Sequence, residues 1–84
     1  MATARDLRRH AQNAGGATFT LRDFQRWIED AFPGFEQAAD DLHLYARRCW
    51  EVLEAHNRNA NTFEDARLQL QLLAKEMWAL IPGT

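Results

Sequence analysis

Serine is missing from all 84 residues, which removes its hydroxyl as a catalytic nucleophile. Cysteine occurs once, at Cys49, so no disulfide forms within the chain, and a reducing, cytoplasmic setting is expected. Proline occurs only twice, at Pro33 and Pro82, each followed by glycine and each placed to stop a helix. No apolar run approaches the roughly 18–20 residues of a membrane span. The opening residues alternate Ala, Arg and His without an apolar centre, so no secretory leader is expected there. The chain also lacks a strong charge bias: at net −2 the overall balance neither favours nor forbids a polyanion partner. Lysine occurs once, at Lys75; the other nine basic residues are arginine, and with fourteen alanines this resembles the coding bias of high-GC bacteria or phages.

What remains is rich in helix formers and large apolar side chains. Apolar residues are 46% of the chain and include five Phe, three Trp and one Tyr, enough for one small domain and too short for a second. No period-two alternation marks a strand, and no internal repeat occurs. Four helices are expected, over about 3–14, 20–32, 36–56 and 62–81. Thr3 with Asp6 and Thr20 with Asp23 have the spacing of capping boxes, and Phe19 with Phe24 that of a hydrophobic staple. Gly15-Gly16 and Pro33-Gly34 end the first two helices.

The third helix should bury Phe35, Ala38, Ala39, Leu42, Tyr45, Ala46, Cys49, Val52 and Leu53 on one stripe. An asparagine-rich break at 57–61 separates it from the fourth, which Thr62 and Asp65 open. There Phe63, Ala66, Leu70, Leu73, Met77 and Leu80 recur at helical spacing. Two long helices joined by about five residues pair as an antiparallel hairpin, with the two short N-terminal helices packed on it. The fold class is therefore all-α, a small four-helix domain.

Chemistry is excluded more readily than it is found. Cys49 would need a histidine within hydrogen-bond reach; His56 is two turns along the same helix, about 10 Å away, and His43 is rotated off that face. His10, His43 and His56 offer no metal-ligand pair at i,i+3 or i,i+4. The acidic pairs Glu36/Asp40 and Glu51/Glu54 suit a solvated helix face. Gly15-Gly16 follows a helix instead of opening one, so it is no phosphate loop. The expectation is a protein without catalytic residues, cofactor or metal.

Binding is what the residues suggest. Trp27, Trp50 and Trp78 flank the expected core lines, and Leu44 lies off its stripe beside Arg47 and Arg48. Aromatic and arginine side chains together have the composition of interface hot spots. The favoured reading is a regulator or inhibitor that occludes a surface of another protein, from a phage or mobile element if the coding bias is informative, with pairing into a homodimer as a further expectation. The alternative is a DNA- or RNA-binding regulator using Arg5, Arg8, Arg9, Arg22 and Arg26 at the basic N-terminal end. Against it stand the acids that open the third helix and the negative net charge. The polar faces of the last two helices are mixed or acidic, which does not suit a membrane surface.

Overall fold

Threonine caps open three of the four helices. A computed structural model describes residues 2–37 and 40–81, and in it α1 spans Ala4–Asn13, α2 Leu21–Ala31, α3 Asp41–Asn57 and α4 Phe63–Glu76; a 3₁₀ turn, Met77–Leu80, follows α4. No strand occurs among the described residues. At α1 the Thr3 hydroxyl accepts from the Asp6 N–H (3.3 Å), while the Asp6 carboxylate accepts from the Thr3 N–H (3.0 Å). Thr20 and Asp23 repeat this box at α2, both bonds at 3.1 Å. At α4 only half the device forms: Thr62 accepts from the Asp65 N–H (3.1 Å), and no bond returns from the Asp65 carboxylate.

The start of α3 corrects the sequence expectation. The helix begins at Asp41, not near Glu36, because Asp40 is its N-cap: the Asp40 carboxylate accepts from the His43 N–H (3.1 Å) and meets the His43 ring at Nδ1 (2.8 Å). A cap residue has extended backbone, here φ −77 and ψ 157, so the helix cannot run through it. Glu36 and Gln37 instead belong to turns, and Phe35 reaches the core from a turn. The expected i,i+4 pair Glu36/Asp40 therefore does not exist on a helix. Ala38 and Ala39, assigned to the stripe of this helix, lie outside the described residues.

The breaks work as their residues dictate. Phe32-Pro33-Gly34-Phe35 closes a type II turn, with the Phe35 N–H on the Phe32 carbonyl (3.1 Å) and Gly34 at φ +78. α3 ends in a Schellman motif: Ala60 N–H reaches Ala55 O (2.8 Å), Asn59 N–H reaches His56 O (3.0 Å), and Asn59 takes the left-handed φ of 60. α4 is shorter than expected, since from Met77 the chain tightens to 3₁₀ geometry.

α1 packs chiefly on α4, α2 on α3, and α3 on α4. Between them Leu7, Phe24, Ile28, Phe32, Cys49, Leu53, Leu70 and Met77 lose all or nearly all solvent contact, each contributing about 1.5–3 kcal/mol for a large side chain. No polar or charged residue is buried among those described. Polar ties run around the rim: Gln25 bonds Glu54 (3.1 Å), Asn57 bonds Gln25 (2.7 Å), and the Tyr45 hydroxyl reaches Glu76 (3.4 Å).

Candidate interaction surfaces

The side chains that sequence analysis considered for catalysis do not converge. Cys49 is fully buried, and burial pushes its thiol up to about 12, which keeps it protonated at neutral pH. His10 bonds the Asp6 carbonyl, His43 the Asp40 carboxylate, and His56 the Asn61 carbonyl. Among the described residues no group of His, Cys, Asp and Glu is arranged to hold a metal ion. No helix there is long and apolar enough to cross a membrane. Glu51 pairs with Arg47 (3.2 Å), and Glu54 pairs with Arg58 (3.3 Å) and accepts from Gln25 of α2, so both carboxylates are engaged in contacts that hold the fold.

The three tryptophans have different fates. Trp27 is half-buried and stacks flat on His10, ring centres 4.0 Å apart, with Phe32 edge-on at 5.6 Å. It locks α1 to α2. Trp50 is also half-buried: its indole N–H donates to Glu29 (3.1 Å) and its ring lies against Phe35. Both are thus committed to the fold. Trp78 differs. It leaves 46% of its surface exposed, and the Arg8 guanidinium lies over its ring at 4.0 Å. Arg8 is held in turn by Gln12 (2.9 Å).

The remaining expected contact residues fall on α3. Leu44 is 36% exposed; Arg47 is in its ion pair, and Arg48 lies over the Tyr45 ring at 5.4 Å. Of the N-terminal arginines, Arg5, Arg8 and Arg9 line one cleft together with Trp78. Arg22 and Arg26 are exposed on α2 and form no ion pair with any described residue, and they do not share that cleft. The basic N-terminal end and Trp78 stand nearly the whole chain apart in sequence; the packing of α1 on α4 and on the 3₁₀ turn brings them together.

A second feature was missed altogether. Leu68 and Leu72 are the most exposed large apolar residues described, at 56% and 53%, ahead of Trp78 at 46%, and Phe63, expected on the apolar stripe of this helix, is 44% exposed. At about 100° per residue, Leu68 and Leu72 stand opposite the buried line Ala66, Leu70, Ala74 and Met77. The signal was present in the 3-4 spacing: two leucines fall on the side of α4 where polar residues belong. Leu72 also forms one wall of a shallow groove with Val52, Leu73 and Arg48.

The chain matches no protein family, no curated protein and no solved structure. Its function must be argued from these surfaces alone.

Proposed function

We propose that this chain is a non-catalytic protein-binding regulator that acts by occluding a partner surface, and that the Trp78–Arg8 face is the part that docks. The observation carrying the reading is the exposed indole of Trp78 held flat under Arg8. An exposed tryptophan already fixed in orientation loses little conformational entropy on binding, and its ring supplies a large apolar contact. Arg5 and Arg9 beside it add charge that sets orientation and on-rate. In this reading α3 and α4 form an antiparallel hairpin that serves as the rigid backing. The paired ends support that arrangement: Tyr45 near the start of α3 meets Glu76 at the end of α4, and His56 near the end of α3 faces Phe63 at the start of α4.

The test is affinity purification from the native source with the wild type, Trp78→Ala and Arg8→Ala. A protein retained by the wild type and reduced at least about tenfold by Trp78→Ala supports docking through this face. Retention unchanged by both substitutions contradicts it.

One observation favours a second reading, nucleic-acid binding: Arg5, Arg8 and Arg9 are gathered about an aromatic ring on which a base could stack. A gel shift that falls steeply with salt and is abolished by Arg5→Ala with Arg9→Ala is its signature. No shift at low salt eliminates it.

A further inference from the structure

On the outer face of α4, exposed apolar side chains coincide with charges that form no ion pair with any described residue. Asp65, Leu68, Leu72 and Lys75 are all exposed. At about 100° per residue they fall within an arc of about 80°, on the side away from the core. Their spacings, three, four and three residues, are those of a coiled-coil seam. They also read the same from either end, with an acid at one terminus and a base at the other.

Asp65 and Lys75 take part in none of the ion pairs among the described residues. The contrast with α1 and α2 is informative, because there the matching aspartates, Asp6 and Asp23, return a bond to the cap residue, and at α4 Asp65 does not.

We infer that a second copy of this chain docks here, α4 against α4, antiparallel about a two-fold axis level with Leu70. In that register Leu68 of each copy packs against Leu72 of the other. Asp65 of each copy meets Lys75 of the other, at both ends of the seam. Isologous pairing needs a patch complementary to itself, and this one is, in the spacing of its leucines and the sign of its charges. The flanking positions agree: Gln69 and Gln71 of both copies flank the middle of the seam, and Glu64, though level with Glu76 of the second copy, lies on the opposite side of the seam from it. The contact is short, about 15 Å of helix, so a dissociation constant on the order of 10–100 µM is expected. The inference does not rest on the docking role given to Trp78, although Lys75, at one end of the seam, lines a cleft with Arg8 and Trp78.

Sedimentation of the full chain over about 10–500 µM, bracketing the expected affinity, tests it. The wild type dimerises. Asp65→Lys alone and Lys75→Asp alone each put like charges at both ends of the seam and weaken association at least about tenfold. The double variant restores the pairing to within about threefold of wild type, and an equimolar mixture of the two single variants forms heterodimers. Since Asp65→Lys sits in the first turn of a helix, Leu68→Gln with Leu72→Gln serves as an independent variant: both side chains are exposed, helicity persists by circular dichroism, and the dimer is lost. A wild type that stays monomeric throughout overturns the inference. So does a dimer indifferent to the single charge reversals and to the leucine variant.

Discussion

α1 and α2 turn their apolar side chains to one side, and α4 turns them to two. On α1 the buried Leu7 and Ala11 face inward while the opposite side carries arginine and glutamine; on α2, Leu21, Phe24 and Ile28 do the same opposite Arg22, Arg26 and Asp30. Both helices also close complete capping boxes. α4 buries Ala66, Leu70 and Ala74 but keeps Leu68 and Leu72 in water, and its cap is half made. The difference separates two demands. α1 and α2 place their large apolar groups toward the core and their cap aspartates on the backbone, and α1 brings only charge to the Trp78 face. A helix that also has to bind retains apolar groups and charges that its own chain leaves unused.

That contrast yields predictions of graded size. The largest effect belongs to the core side of the N-terminal pair: Phe24→Ala should lower unfolding free energy by about 3–5 kcal/mol in denaturant titration, because the ring is fully buried among aromatic neighbours. Next comes the turn after α3. Asn59→Val should cost about 1–2 kcal/mol, since a β-branched residue is forced into the left-handed region; Asn59→Gly should be neutral or slightly stabilising. Removing the α2 cap with Thr20→Ala should cost about 1 kcal/mol, and Asp65→Ala on α4 only a few tenths, because that carboxylate returns no bond.

The smallest effect is in pH. Hydrogen bonds from the His43 ring and backbone hold the Asp40 carboxyl below its ordinary 3.8, and the Thr3 backbone N–H does the same for Asp6. Each group binds its proton more weakly folded than unfolded, so its contribution is complete above pH 3.8 and is lost as pH falls through the depressed value. Helicity followed by circular dichroism should begin to drop just below that pH, and Asp40→Asn should remove part of the slope.

Most of the fold was legible because its signals are local. Thr3, Thr20 and Thr62 announce their helices, and Gly15, Gly34 and the Asn-rich break end them, through bonds reaching only three to five residues. The start of α3 was misplaced for a specific reason: Phe35, Ala38 and Ala39 continue the helical spacing of the residues beyond, while Asp40 interrupts it by capping. Pattern and cap compete there, and the cap wins. The fates of the tryptophans were not legible. Trp27 and Trp78 both flank a core line, and what separates them is a neighbour distant in sequence, His10 covering the first and Arg8 the second. The exposed leucines of α4 could have been found by placing every apolar residue on the helical wheel, including those outside the expected stripe.

The measurement that bears most directly on the division between folding and binding helices is the stability of Leu68→Gln with Leu72→Gln in denaturant, at a concentration low enough to keep the chain monomeric. If the two leucines belong to a binding face, unfolding free energy stays within about 0.5 kcal/mol of wild type per site. A loss of several kcal/mol would place them in the core of the monomer and contradict the account.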